Sequence, residues 1–458
     1  MPNIVNSLKA ELGEGAILSK DDVAKRAVSY WDNSPMQAKA LLRPKSTQEV
    51  SKILQICHAH RQPVVTHGGN TTCVQGTHST KNDIIISLER MNGITEIDTV
   101  AGTATLQAGA VLEAVQNAVK EKGLFLPLDL GARGSCTIGG NLATNAGGVN
   151  VLRYGMARSM VLGLEAVLPD GTIISSMDKM LKNNAGYDLK QLFIGSEGTL
   201  GIITNTIVKL MPCSTTTNTA FVALPDFKSV SQLLAHLKTN IGSNLSAFEV
   251  MWGSYYAAVT KPGGHRAPLD RTYPFYALFE CDGSDPARDD ERFWEVVETA
   301  FSDGLILDAV IPKSENERQS LWDIRDDFED ILQSKPVYLY DVSLSISSME
   351  DYVKKVKYQL ARLLPQSKVY VLGHVGDGNL HFFVQAGTEA DNSRHLSDRA
   401  IYEPLREYKG SISAEHGIGL EKKQWLSQTR SSAEIALMRL LKNTLDPYKI
   451  LNPGIVVD

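Results

Sequence analysis

Apolar positions recur with helical or strand spacing in short blocks along the first half of the chain. Ser46–Glu49 is a capping box ahead of an apolar stripe that begins at Val50, and an earlier helix is expected to start after Ser19. Apolar runs typical of strands follow in the order PVVT, DIIISL, ITEID and TATLQAG. The LEAVQNAVKEK segment predicts a helix that ends at Gly123. Helices and strands are therefore expected to be mixed in this half.

The pattern changes after Pro212, where longer apolar runs alternate with charged amphipathic segments. FVALP, LSAFEVMW, FYALFEC and VYLYDVSLSI are typical of strands, and FKSVSQLLAHLKT and RDDERFWEVVETAF are typical of helices. This alternation predicts an α+β domain with helices on one face of an antiparallel sheet. The last helix is expected to be capped by Ser431 and Glu434 and to lead into PYKILNPG.

A glycine-rich stretch from Pro127 to Gly148 shows no helical or strand periodicity. Each glycine loses more backbone freedom on folding than any other residue, so the stretch is costly to order. A ligand that touches the main chain would explain the cost, because glycine lets backbone N–H groups approach closely. A tight buried turn region without a ligand is the alternative.

A second glycine loop, GGNTT, follows the PVVT strand and could form an anion-binding concavity, although such a loop is more often only a turn. The chain contains neither GxGxxG nor GxxxxGK[ST]. Nicotinamide-type dinucleotide binding is therefore disfavoured.

Composition and charge narrow the function classes. The chain has 458 residues, which predicts two or three domains, and its net charge of −6 offers no basic surface for nucleic acid. The five cysteines include no CxxC pair, which indicates neither a disulfide framework nor a cysteine zinc site. No apolar run approaches the length of a membrane span. We expect a cytoplasmic protein and leave peripheral membrane association open.

Five ordered segments carry a family resemblance: GGNTT, PLDLGARGSCTIGGNLATNAGG, LRYG, LEAVLPDG and GYDLKQLFIGSEGTLGIIT. The chain resembles the vanillyl-alcohol oxidase-like FAD flavoproteins, and most closely their D-2-hydroxyglutarate and D-lactate dehydrogenase branch. The resemblance implies a two-subdomain FAD-binding domain, an α+β substrate-binding cap with an antiparallel sheet, and a C-terminal helical segment that returns to the flavin. It divides the chain into an N-terminal helical segment (1–36), the FAD-binding domain (37–214), the cap (215–410) and the C-terminal segment (411–458).

The same resemblance implies which residues bind FAD. They are Gly68, Gly69, Asn70, Thr71, Thr72, Gly76, Pro127, Ser135, Gly139, Gly140, Thr144, Asn145, Gly148, Gly201, Ile202, Ile203 and Asn452. Some flavoproteins of this superfamily attach FAD covalently through histidine, but that histidine lies elsewhere in the loop than His67. We therefore expect non-covalent FAD.

The segments GHVGDGNLHFFV and SAEHGIG contain the second candidate site. If Asp377-Gly378 forms a two-residue type I′ turn, His374 and His381 lie directly opposite each other, within reach of one shared ion. Glu415 could complete a set of two imidazoles and one carboxylate that leaves positions open for substrate. The pattern alone favours a hydrogen-bonded pair of structural histidines, and the resemblance reverses that preference. The resemblance implies a divalent cation, usually zinc, with manganese as an alternative.

The resemblance also implies a reaction. A D-2-hydroxy acid would be oxidised to the 2-keto acid, with His416 as the general base and Arg325 holding a substrate carboxylate. His416 could instead be only a structural neighbour of Glu415, and Arg325 could bridge to an acid on its own helix. The electron acceptor is not identified, and a homodimer is left open.

Three departures from the D-2-hydroxyglutarate pattern bear on the substrate. Glu329, Leu339 and Phe383 stand where that branch has threonine, lysine and asparagine. With Leu339 and Phe383 in the substrate pocket, we expect an uncharged or aromatic substituent, as in D-lactate or D-mandelate; D-2-hydroxyglutarate is the alternative. Two other classes stay open: a metal hydrolase without flavin, and a flavin-bearing electron-transfer subunit.

Overall fold

The computed structural model describes residues 4–387 and 392–458. The chain forms two compact units. The first contains Met1–Gly147, Gly155–Cys213 and Glu415–Asp458, and the second contains Gly148–Tyr154 and Ser214–Ala414. The four-part division expected from the sequence stays a prediction.

The bounds of the elements are as follows. The strands are β1 (Ile17–Leu18), β2 (Ala40–Leu42), β3 (Val64–His67), β4 (Ile84–Ser87), β5 (Ile94–Asp98), β6 (Thr103–Gln107), β7 (Leu124–Phe125), β8 (Val161–Val167), β9 (Ile173–Ser176), β10 (Ile202–Lys209), β11 (Met211–Pro212), β12 (Thr216–Leu224), β13 (Leu245–Trp252), β14 (Phe275–Gly283), β15 (Asp308–Val310), β16 (Val337–Ser343), β17 (Lys368–Gly373) and β18 (Asn379–Gln385). The helices are α1 (Ile4–Leu12), α2 (Lys20–Val23), α3 (Thr47–Ala59), α4 (Leu112–Lys120), α5 (Ile138–Ala143), α6 (Val151–Tyr154), α7 (Lys190–Phe193), α8 (Phe227–Asn240), α9 (Gly253–Val259), α10 (Pro286–Ser302), α11 (Glu315–Asp326), α12 (Glu329–Leu332), α13 (Met349–Leu363), α14 (Ser393–Tyr408) and α15 (Ser432–Leu445).

The first unit contains three sheets. Its four-stranded sheet has the order β1-β2-β4-β3, in which β2, β4 and β3 are parallel. Its five-stranded sheet, β5-β6-β10-β8-β9, is antiparallel throughout. Strands β11 and β7 form a short antiparallel pair. The GGNTT loop begins at the end of β3, as the sequence predicted.

The second unit is built on one antiparallel sheet of seven strands in the order β15-β12-β14-β13-β17-β18-β16. Successive side chains of a strand point to opposite faces, and every residue of β13 is buried, so both faces need a cover. On one face, Met251 and Phe383 share a core cluster with Trp322 of α11. On the other face, Phe279 packs against Phe293 of α10. The expectation of helices on one face was therefore wrong.

Helix caps were predicted better than helix number. Ser431 and Glu434 form the capping box of α15, and Ser46 and Ser19 cap α3 and α2. Helix α1 precedes the helix that the sequence analysis took as the first. Within the part of the chain that the structure describes, every helix is too short or too polar to cross a membrane.

Candidate active site

The two glycine-rich loops of the first unit pack against each other through their backbones. A Cβ atom on Gly68 would lie 2.4 Å from Thr137 Oγ1, and one on Gly69 would lie 2.1 Å from the Ser135 carbonyl oxygen. Gly139 is crowded by Ala108 in the same way. These glycines are therefore required by the close approach of other protein groups.

Polar atoms without partners lie at the same place. Thr66 Oγ1, Asn70 Oδ1 and Thr137 Oγ1 are buried and make no hydrogen bond within the described residues. Buried polar atoms in folded proteins almost always have a partner, so these three atoms indicate a polar ligand. Their position around the Gly68-Gly69 loop fits the pyrophosphate and hydroxyl groups of FAD.

Asn452 joins the C-terminal tail to this cradle. Its Oδ1 accepts a hydrogen bond from the Thr66 backbone N–H at 2.9 Å, and its Nδ2 donates to the Glu197 carbonyl oxygen at 2.6 Å. Asn70, Asn145 and Asn452 all have positive φ angles, which asparagine tolerates better than most residues. The tail therefore supports the first glycine loop, at the position where the resemblance placed it.

The remaining predicted FAD residues are distributed over neighbouring segments. Thr71, Thr72 and Gly76 lie in the loop after β3, Pro127 and Ser135 precede α5, Gly140 and Thr144 lie in or directly after α5, Gly201 precedes β10, Ile202 and Ile203 begin β10, and Gly148 begins the second unit. Thr72 Oγ1 organises its loop by accepting hydrogen bonds from the Val74 and Gly76 N–H groups.

His67 is held inside the first unit by both ring nitrogens. Its Nε2 lies 3.0 Å from the Thr77 carbonyl oxygen, and its Nδ1 lies 3.3 Å from Asn70 Nδ2. Burial lowers the pKa of His67 to about 4, against a smaller opposing contribution from the Thr77 hydrogen bond. The ring is therefore neutral near pH 7, and its contacts are those of a structural histidine.

The β17–β18 hairpin differs from the predicted type I′ turn. That turn needs positive φ at both central residues, but only Gly378 has it, and Val375–Asp377 form a 3-10 turn. Asn379 therefore hydrogen-bonds His374, and His381 pairs with Leu372. The predicted direct opposition of His374 and His381 was wrong, yet the two rings still meet at a centroid distance of 5.3 Å.

One face of the sheet carries the chemistry of the second unit. Across β16 and β18, His381 lies opposite Asp341, and Phe383 lies opposite Leu339. Phe383 is buried against Phe328, so this end of the face is apolar. Asp341 also accepts a hydrogen bond from the backbone N–H of Ala414, the residue that precedes Glu415.

Arg325 belongs to a buried cluster with Glu249 and His374. Arg325 Nε donates to Glu249 Oε2 at 2.9 Å, while Glu249 Oε1 lies 2.6 Å from His374 Nδ1. Arg325 also pairs with Asp326 on its own helix, as the alternative interpretation allowed. Burial raises the pKa of Glu249, but its contacts with His374 and Arg325 outweigh burial and lower that pKa to about 2.

The segment that carries Glu415 and His416 is anchored inside the first unit. A Cβ atom on Gly147 would lie 2.5 Å from Glu415 Oε1, so this carboxylate covers the end of the glycine-rich stretch. The buried carboxylate of Glu197 accepts hydrogen bonds from the N–H groups of Ile418 and Gly419 at 2.7 and 2.8 Å. Burial raises the pKa of Glu197, although these two bonds oppose that effect.

Glu249 and Glu197 were missed by the sequence analysis. Each is a single carboxylate in an otherwise apolar or glycine-rich segment, LSAFEVMW and FIGSEGTLG. A buried carboxylate needs partners, and a lone acid in a buried strand is a usable signal for a polar cluster. The partners themselves could not be found, because they lie far away in sequence.

Comparisons with known proteins identify the family of this chain. A family model described as FAD binding domain matches residues 38–176, and one described as FAD linked oxidases, C-terminal domain, matches residues 214–456. The chain therefore belongs to the FAD-linked oxidases.

Individual relatives narrow the family assignment of the chain. Mitochondrial D-2-hydroxyglutarate dehydrogenase of Bos taurus is 43% identical over 418 residues, which cover 91% of this chain and 76% of the relative. The Arabidopsis thaliana enzyme of the same name is 39% identical over 98% of this chain and 80% of its own. A Schizosaccharomyces pombe protein provisionally named a mitochondrial D-lactate dehydrogenase is 39% identical over 90% of this chain and 80% of its own. The chain is a member of the FAD-dependent D-2-hydroxy acid dehydrogenase family, in its D-2-hydroxyglutarate and D-lactate dehydrogenase branch.

Solved structures confirm the fold class. p-Cresol methylhydroxylase superposes with a TM-score of 0.77 at 15% identity, and 4-ethylphenol oxidase from Gulosibacter chungangensis with 0.76 at 17% identity. Each match covers 99% of this chain and 96% of the other. The vanillyl-alcohol oxidase-type fold and the assignment as an FAD-dependent oxidoreductase that acts on a CH–OH group are both confirmed.

Proposed function

We propose that this protein is a D-2-hydroxyglutarate dehydrogenase that oxidises its substrate to the 2-keto acid. The observation that carries the proposal is the shared name of several relatives at 36–43% identity over at least nine-tenths of this chain. This substrate replaces the D-lactate or D-mandelate preference expected from Leu339 and Phe383. Glu329 carries a negative charge that would repel a second substrate carboxylate, but it is exposed at the start of α12, which weakens that repulsion.

FAD and a divalent cation are the cofactors of the proposed reaction. FAD would occupy the first unit, where the three buried polar atoms around the Gly68-Gly69 loop have no partner among the described residues, and would accept the hydride that leaves the substrate C2 atom. His374 and His381 each offer a ring nitrogen, and these nitrogens lie within 4.8 Å of each other. With Glu415 as the third ligand, this donor set fits zinc or manganese, which would polarise the substrate hydroxyl.

The side chains of the chain have separate roles in this proposal. His416 accepts the proton of the substrate hydroxyl as the hydride leaves, and Arg325 holds a substrate carboxylate through its terminal N–H groups. The hydrogen bonds that Ile418 and Gly419 donate to Glu197 limit the movement of the segment that carries His416. The expected roles of Leu339 and Phe383 as lining residues stay a prediction.

FAD is proposed to be bound without a covalent link. Both nitrogens of His67 are engaged with Thr77 and Asn70, which supports a structural role for this ring. Acid precipitation of the yellow protein should release all flavin into the supernatant. Flavin that remains with the precipitated chain would contradict this proposal.

D-Lactate dehydrogenase is the second candidate function. Leu339 and Phe383 lie opposite each other, next to the pair of Asp341 and His381, so the sheet face beside His381 is apolar. A relative with a provisional D-lactate dehydrogenase name covers 90% of the chain.

Several relatives carry mitochondrial names, so a cytoplasmic location is an expectation to be tested by fractionation.

An anaerobic titration of the visible flavin spectrum tests the proposal. The FAD-loaded enzyme is mixed with D- and L-2-hydroxyglutarate, D-lactate and D-mandelate. Oxidised flavin absorbs at roughly 450 nm, so loss of this absorbance is a direct sign of flavin reduction. We expect D-2-hydroxyglutarate to reduce the flavin fastest, whereas bleaching by none of the 2-hydroxy acids would favour an electron-transfer subunit.

A further inference from the structure

Glu249 is a deeply buried acid that contacts a proposed cation ligand, His374. It lies in the middle of β13, and its side chain is 1% exposed. Its two carboxylate oxygens are divided between two partners, with Oε1 at 2.6 Å from His374 Nδ1 and Oε2 at 2.9 Å from Arg325 Nε. One carboxylate therefore contacts both a proposed cation ligand and the proposed substrate arginine.

We propose that Glu249 is a positioning residue that orients the His374 ring for the cation and the Arg325 guanidinium for the substrate. The inference rests on the proposed metal-assisted function. A carboxylate that accepts the Nδ1–H of a histidine fixes the neutral tautomer in which the Nε2 lone pair is available. In this structure His374 Nε2 lies 3.1 Å from Arg325 Nη2, and a bound cation would take the place of that contact.

The same contact restricts Arg325. Because Glu249 occupies Nε and Asp326 occupies Nη1, the guanidinium plane is fixed, and Nη2 lies 3.1 Å from His374 Nε2. A guanidinium held in this way loses less freedom when it binds a carboxylate. Glu249 thus couples the orientation of two groups whose roles in the reaction differ.

The chain contains a matched control pair, in which the arginine lies on the same helix as Arg325. Glu280 of β14 accepts from Arg318 Nε at 2.6 Å and from Arg318 Nη2 at 2.9 Å, and Arg318 is on α11 with Arg325. Glu280 is also buried and also lies on a central strand. Its other partners, Thr219 and Trp322, are not proposed cation ligands. Removing its charge disturbs a buried ion pair without touching His374.

Zinc affinity of the FAD-loaded, chelator-treated protein tests the inference. Wild type, Glu249→Ala, Glu249→Gln, Glu280→Gln and His374→Ala are titrated with zinc against a chromogenic chelator, and the flavin spectrum confirms that each variant is folded. We expect Glu249→Ala to weaken zinc binding about 10- to 100-fold. Glu249→Gln should weaken it less, because its amide oxygen can still accept the Nδ1–H bond, and Glu280→Gln should bind zinc as wild type does.

Three results would overturn the inference and can be told apart. Equal zinc affinity in Glu249→Ala and wild type, with weaker binding in His374→Ala, would leave the cation site intact and reduce Glu249 to an ion-pair partner of Arg325. Equal affinity in His374→Ala and wild type would reject the cation site itself. A Glu280→Gln loss as large as that of Glu249→Ala would show that any buried ion pair on α11 has the effect, which also contradicts positioning.

Discussion

The rings of His374 and His381 meet edge to face at 82° with their centroids 5.3 Å apart, although the two residues are not paired in the β17–β18 hairpin. Their proximity results from the four-residue connection Val375–Gly378, which returns the chain beside itself while His374 lies just beyond the last strand residue. His374 is also fixed by Glu249. The proximity of the two rings is therefore built by two strands and a loop, and not by a cross-strand pair.

Removing the cation should abolish flavin reduction by substrate and leave FAD in place. The proposed ligands His374, His381 and Glu415 are not among the residues expected to bind FAD. The measurement is stopped-flow reduction of chelator-treated protein, followed by addition of zinc or manganese. Recovery of the rate is expected with either cation; full activity in a sample that is free of metal by elemental analysis would contradict the site.

Local sequence signals predicted the local parts of this fold. The Ser431 capping box was confirmed because both of its hydrogen bonds lie within four residues. The Asp377-Gly378 turn was wrong although it is equally local, because the type of a hairpin turn also depends on the strands that flank it. Glu249 lies 125 residues from His374. No pattern within one segment can show such a contact, which depends on how seven strands are ordered.

Replacement of His416 by alanine should slow flavin reduction about 10²- to 10⁴-fold, which is the usual contribution of a positioned general base. Zinc content and FAD content should stay as in wild type, because His416 is not among the proposed ligands. The exposed residue His60 supplies the control variant, His60→Ala, which should reduce its flavin at the wild-type rate. A His416→Ala enzyme with an unchanged rate would leave this histidine with only a structural role.

Acid should destabilise the first unit through His67. Its pKa is about 4 in the folded chain and 6.5 when unperturbed. Between these values the unfolded state binds more protons, so stability is fully present above pH 6.5 and is lost as the pH falls towards 4. At pH 4.5 the loss attributable to His67 is about 2–3 kcal/mol.

Urea unfolding at pH 7 and pH 4.5 measures this loss. His67→Gln should be less sensitive to acid than wild type by that amount, because glutamine does not titrate. His60→Gln, a change at an exposed position, should retain the full wild-type sensitivity. An acid response of His67→Gln equal to that of wild type would mean that the ring is not held neutral in the folded chain.

Selectivity for D-2-hydroxyglutarate should depend on Tyr370. This tyrosine of β17 lies opposite Phe383 of β18 and therefore shares the sheet face that carries Leu339 and His381. Its hydroxyl makes no hydrogen bond within the described residues, and burial raises the pKa of Tyr370, so the group keeps its proton and can donate. It is thus a donor on this face that could bind the distal carboxylate where the family pattern has lysine and asparagine.

Kinetics of Tyr370→Phe on two substrates decide this point. Loss of one hydrogen bond to a charged group costs about 1.5–3 kcal/mol, so kcat/KM for D-2-hydroxyglutarate should fall roughly 10- to 150-fold while that for D-lactate is unchanged. Tyr338→Phe is the control, since Tyr338 pairs with Val384 on the opposite face and bonds Ser393. Equal losses on both substrates would show that Tyr370 only supports the pocket.

Leu339→Lys in the Tyr370→Phe background should restore preference for the dicarboxylate, because an ammonium on the same face replaces the lost donor. If this preference is not restored, the distal carboxylate is bound elsewhere.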